Sequence, residues 1–205
     1  MRRGLTRGWL LLATVATVAL AASAQEAPHS GSLERAFPAN GSLKMDLVAG
    51  DYRITGGPDP RVRIDWSARD AAALSKVRTH VDVRDRELRI TTDGPHNRDL
   101  KFHIQVPDQS HLYVRLSAGD MKIENVRGNK DVELRAGDLR IDVGRADDYK
   151  RVDASLWAGD IKATAFRISK DGLFRSFDWH GPGAYRLHAH LMAGDLYLYE
   201  KSSER

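Results

Sequence analysis

Cysteine is absent from this chain of 205 residues. That excludes a disulfide framework, a thiolate metal site and a lipid anchor on a cleaved N-terminal cysteine. Long apolar runs are nearly absent as well. The only one spans Trp9 to Ala21, which is short for a membrane-crossing helix. The G-x-S-x-G, H-E-x-x-H and phosphate-loop signatures do not occur either, so no ready-made nucleophile, zinc or nucleotide site announces itself. Helical composition is confined to one stretch, ARDAAALSKVR (Ala68–Arg78), enough for a single short helix.

The N-terminus explains the apolar run. Arg2, Arg3 and Arg7 precede it and Ala22-Ser23-Ala24 follows it, the layout of a secretory signal with a small-x-small cleavage site. Cleavage after Ala24 is expected, so residues 1–24 read as a signal peptide. Loss of its three arginines takes the formal net charge from +4 to +1, which leaves no general attraction to nucleic acid. The expected mature protein is exported, periplasmic or secreted to the cell surface, with no integral membrane span. Residues 25–36 read as a flexible lead-in, 37–200 as one domain and 201–205 as a polar tail.

What is present in quantity is one short motif. LVAGDYRI (Leu47–Ile54), LSAGDMKI (Leu116–Ile123), LRAGDLRI (Leu134–Ile141), LWAGDIKA (Leu156–Ala163) and LMAGDLYL (Leu191–Leu198) share an A-G-D core. Apolar residues alternate on both sides: Val132, Leu134 and Ala136, then Leu139, Ile141 and Val143. Alternation marks a strand with one buried face. The step of three across Gly137-Asp138 resets the phase, so a corner there keeps both strands facing one core. Gly supplies an unusual backbone conformation, and Asp can accept from nearby amides. The structural corner residues are therefore Gly50, Asp51, Gly119, Asp120, Gly137, Asp138, Gly159, Asp160, Gly194 and Asp195.

Two all-β architectures satisfy the pattern. Gly-Asp can be the loop of an antiparallel hairpin in a meander or sandwich. Alternatively it is one corner of a β-solenoid, a two-sheet roll with one short helix and stacked like residues. Intervals of 18 and 22 residues between Asp120, Asp138 and Asp160 favour stacking, and the 35 residues to Asp195 leave room for nearly two coils. Second corners fall at Val126–Asp131 and Val143–Arg151. Gly94–Asp99 reads as a turn, Asp171–Tyr185 as a long loop, and Arg186–Glu200 as a hairpin-like pair.

FHIQVP (Phe102–Pro107), followed by L-x-V-x-L-x-x-G-D from Leu112 and further Gly-Asp units about twenty residues apart, resembles the exported bacterial "putative adhesin" family of β-strand-repeat proteins. The resemblance spans residues 37–200 and is clearest over 100–165. It implies a cell-envelope protein, some relatives being tied to stress-response operons, with no cofactor and no catalytic residue to carry over.

Four kinds of chemistry are weighed from the residues themselves. The five corner aspartates either cap backbone amides at their own bends or hold cations between coils. His188 and His190 share one strand face, and His180 lies on the preceding loop, the weak makings of a metal site. Arg135, Arg140, Asp142, Asp147 and Asp148 point outward, as in β-helical polysaccharide enzymes, and also as on any soluble sheet. Trp157 lies out of phase with the core in a slot that Val48, Ser117, Arg135 and Met192 hold in other copies. It marks a surface patch or sits under the 171–185 loop, and Tyr197 and Tyr199 are likewise out of phase. The reading is a non-catalytic envelope scaffold or binding module whose partner is an envelope protein or a glycan. The alternatives are a carbohydrate-active β-helix enzyme and a metal-binding stress accessory.

Overall fold

The computed structural model describes residues 29–95 and 99–201. The signal segment, residues 25–28, part of the Gly94–Asp99 turn and most of the tail lie outside them. The described chain is mostly strand. In order it runs β1 (His29–Ala36), β2 (Gly41–Leu47), β3 (Asp51–Gly57), β4 (Arg61–Ala68), β5 (Arg78–Arg84), β6 (Glu87–Asp93), β7 (Lys101–Pro107), β8 (Ser110–Leu116), β9 (Met121–Glu124), β10 (Lys130–Ala136), β11 (Leu139–Asp142), β12 (Tyr149–Ala163), β13 (Ile168–His180), β14 (Tyr185–Ala193) and β15 (Leu196–Tyr199). The expected helix is a single turn, α1 (Ala71–Leu74), begun by Asp70, whose carboxylate accepts from the Ala72 amide at 2.8 Å.

Strands flanking each Gly-Asp corner do not pair with each other, so the hairpin alternative is corrected. They pair in parallel with their counterparts in other copies. Before the corner, Leu47, Leu116, Leu134, Leu191 and Leu156 lie in one register across β2, β8, β10, β14 and β12. After it, Tyr52, Met121, Leu139, Leu196 and Ile161 do the same across β3, β9, β11, β15 and the end of β12. All ten side chains are buried in one core. Burying each is worth on the order of 2 kcal/mol.

The spatial order is not the chain order. The last copy, β14 and β15, sits between β10–β11 and β12. β12 turns back through a short 3-10 segment (Thr164–Phe166) into β13, which pairs antiparallel along it from Arg151–His180 to Ala163–Ile168. The 35-residue interval therefore holds a returning strand, not extra coils. The expected loop over Asp171–Tyr185 is largely strand, and the expected Arg186–Glu200 hairpin is a corner like the others. At the opposite end β6 and β7 add a layer in parallel on β2 and β3, with the stretch 94–100 in place of Gly-Asp. Antiparallel strands close this end, β5 on β6, β4 on β7 and β1 on β4. Residues 29–36, expected in the flexible lead-in, form β1. The result is a large mixed, mostly parallel sheet with antiparallel ends, and a uniform succession of coils is not what it shows.

The corners are held by backbone packed on backbone. Gly119 and Gly137 adopt φ of 116° and 128°. A Cβ at Gly119 would press into the Gly50 carbonyl oxygen, and one at Gly137 into the Gly119 carbonyl oxygen. The amides of Gly50, Gly119, Gly137 and Gly194 donate to the carbonyls of Ala118, Ala136, Ala193 and Ala158 at 2.9–3.1 Å. Gly137→Ala combines a disfavoured φ with that clash and should cost about 3 kcal/mol or more. Gly57→Ala, at a glycine with open space around the missing Cβ, should be near neutral. Urea denaturation midpoints of the two variants check this directly.

Candidate functional site

The corner aspartates do something other than cap their own bends. Four of the five carboxylates accept from the amide of the equivalent aspartate one layer away, and Asp160, last in the ladder, gives only its amide. Asp51 takes the Asp120 N–H at 3.4 Å, Asp120 takes Asp138 at 3.0 Å, Asp138 takes Asp195 at 3.0 Å and Asp195 takes Asp160 at 3.0 Å. Stacking like charges is tolerated because each is spent on the next layer's backbone, and outer oxygens meet Arg140 at Asp138 and the Tyr197 hydroxyl at Asp195. Among the described residues no three His, Asp or Glu side chains converge as a metal site would require. The ladder ties each layer's corner to the next through the backbone.

The three histidines are not brought together. His188 Nδ1 lies 2.9 Å from Asp153 Oδ1, His190 Nδ1 lies 2.7 Å from Ser155 Oγ, and His180 Nδ1 lies 3.3 Å from Asp178 Oδ1. Arg151 joins two of these pairs by donating to both Asp153 and Asp178. The chain His188–Asp153–Arg151–Asp178–His180 is thus one network across β14, β12 and β13. The ring nitrogens facing it are already engaged.

This network lies on the outer face of the strands before the corner. Side chains there form rows two residues apart, about 6.6 Å per step. Arg186 and Arg151 make the first row, and Asp131, His188 and Asp153 the second. Glu133, His190 and Ser155 follow, and Met192 and Trp157 lie next to the corner. The face therefore grades from a polar groove of about 670 Å³, over Tyr113, Asp131 and His188, to an apolar end. Trp157 is 52% exposed and its ring centroid lies 6.0 Å from that of Phe174, itself 74% exposed; Leu173 and Met192 beside them are exposed too. Of the aromatics expected in a loop, Phe177 and Trp179 pack on Phe166 at the core, whereas Phe174 meets Trp157 at the surface.

Tyr197 and Tyr199 belong to the strands after the corner, apart from Trp157. The Tyr197 ring lies 4.8 Å from the Arg140 guanidinium and 5.4 Å from the Lys162 ammonium, so cations occupy the space a ligand ring would need. Its hydroxyl donates to Asp195, which raises its pKa. The Tyr199 hydroxyl is buried. Of the acids and bases that the enzyme reading placed outward, Arg140 is paired and Asp142 is in fact buried, a correction to that reading. Arg140 pairs with Asp138, and buried Asp142 accepts from the amides of Gly144 and Lys201.

Comparison with known proteins adds the fold's company. No family model matches the chain, and no curated protein matches it in sequence. Among solved structures, a "putative cell adhesion protein" from Clostridium sporogenes matches with a TM-score of 0.55 at 12% identity, covering 85% of this chain and all of that one. The fold is shared with that bacterial protein. A "putative adhesin" from Bacteroides fragilis matches at 8% identity with a TM-score of 0.30, over 83% of this chain and 97% of that one. Both are bacterial proteins whose descriptions name cell adhesion or an adhesin.

One residue escaped the reading of the repeat. Lys130 occupies a core rung between Leu112 and Leu187 and is fully buried. Its Nζ donates to the Tyr149 hydroxyl at 2.7 Å and to the Gly128 carbonyl at 3.4 Å. The signal was its phase with Val132 and Leu134, an apolar slot filled by a cation. Burial brings its pKa down to about 7, although Asp142 and Asp148 pull the other way. Since the unfolded chain binds that proton up to about pH 10.4, Lys130 makes stability rise with pH between about 7 and 10 and contributes no slope below about 6. The rise is roughly 4 kcal/mol. Lys130→Met should flatten it and stabilise the protein near pH 7, as read from urea midpoints at pH 6, 8 and 9.5.

Proposed function

We propose that this chain is a non-catalytic, exported module of the bacterial cell envelope. It is a solenoid-like scaffold that presents the outer face of β14, β12 and β13 to an envelope protein or glycan. The observation that carries the reading is the pair Trp157 and Phe174, in tilted ring contact yet more than half exposed. Neighbouring exposed aromatics on a sheet are costly unless something covers them. The corner ladder keeps that face rigid, so binding there needs little reordering. The shared fold with a protein described as a cell adhesion protein supports the same reading, as does the signal-like N-terminus. Protein recovered from the periplasm or medium should begin at Gln25, as N-terminal sequencing will show.

Binding is tested on a glycan array and with purified envelope fractions. Trp157→Ala together with Phe174→Ala should reduce capture at least about tenfold, with the urea midpoint unchanged. Retained capture by the double variant would remove this face from the proposal. Turnover of a bound glycan would instead favour the enzyme reading.

A further inference from the structure

The polar end of the same face holds features that its internal network leaves unused. β12 pairs with β14 from Tyr149–Tyr185 directly to Arg151–Arg186, so Lys150 is an extra residue in a bulge. A bulge re-aims side chains. Here it leaves Lys150 and Arg151 both exposed in succession before alternation resumes at buried Val152. Arg151 is consumed by Asp153 and Asp178, but Lys150 and Arg186, both exposed and lining the groove, have no carboxylate partner among the described residues. The second unused group is an acceptor. Asp131, in the row between Tyr113 and His188, lines the groove and its carboxylate has no hydrogen-bond partner among the described residues; Oδ1 is closed to solvent, so the other oxygen is the one a ligand donor meets. An orphaned carboxylate oxygen is costly and calls for a donor.

We infer that this groove binds a carboxylate-bearing sugar of the hexuronate class, with Lys150 and Arg186 on the carboxylate and Asp131 accepting from ring hydroxyls. The ligand must supply an anion at the rim and donors at the floor of one groove, which an acidic sugar does within one residue. The exposed phenol of Tyr113 flanks the floor as a surface for a sugar ring. An acidic peptide matches the rim but brings no array of hydroxyl donors to Asp131. The inference rests on the proposed binding role of this face and names its ligand class.

Calorimetry with a galacturonate oligomer, and with the neutral galactose oligomer of equal length, tests the assignment. The acidic oligomer should bind, with affinity falling as salt rises, and the neutral one should bind at least about tenfold more weakly. Lys150→Ala with Arg186→Ala should remove that difference. Asp131→Ala is the sharper variant. It deletes an unsatisfied buried acceptor, so the free protein should keep or raise its melting temperature while losing the acidic oligomer. A purely structural Asp131 would show the reverse, a lower melting temperature with binding intact. Equal binding of both oligomers, no heat from either at millimolar concentration, or binding of an acidic peptide alone would overturn the inference. If the double variant at Trp157 and Phe174 loses its envelope partner while these groove variants do not, the binding role stands and the sugar assignment falls.

Discussion

Everything in this molecule is arranged around a contact in which one glycine's α-carbon rests on the carbonyl of another, one layer away. That approach leaves no space for a side chain at four successive corners. It sets the layer spacing at the corner equal to the strand spacing on either side, so the hydrogen-bonded ladder runs around the bend without interruption. The leucine rung before the corner and the mixed Tyr, Met, Leu and Ile rung after it then meet in register. At four of the corners the aspartate next to the glycine completes the arrangement by accepting from the next layer's aspartate amide.

Much of this was legible. The phase reset across Gly-Asp located the buried face of the strands flanking each corner, and it put Trp157, His188, His190 and Met192 outside, where they are, but also Asp142, which is buried. Parallel pairing was harder to read, because fully covered parallel strands run continuously apolar whereas these alternate. Alternation is equally the mark of an antiparallel hairpin. β13 was illegible for a different reason. It is exposed along nearly all its length and kinked at Gly172 and Phe174, so it carries no period and reads as loop. Lys130 breaks the rule that core phase means apolar, and the Lys150 bulge breaks the rule that neighbours point opposite ways. Both exceptions need coordinates to be seen, and both lie at the groove end of the face.

The two outer surfaces of the sheet differ in how their charge is used. After the corner, Arg140, Lys122 and Arg53 pair with Asp138 and Glu124, and Tyr197 fills the remaining place between cations. Before the corner, the network through Arg151 satisfies the middle of the face and leaves the two ends incomplete, one with uncovered rings and the other with unpaired cations and an orphaned oxygen.

The place of β14 and β15 also bears on how the chain acquires its shape. β12 and β13 form a local antiparallel pair, which closes without help from distant sequence. β14 must then enter between that pair and β10, bonding to both at once. Until residues 185–199 are in place, the edges of β10 and β11 that face β14 and β15 have no partner. The last repeat is an insertion in space, not an addition at the end. Truncation ahead of Tyr185 would accordingly leave a gap in the middle of the sheet, not a shorter copy of the same fold.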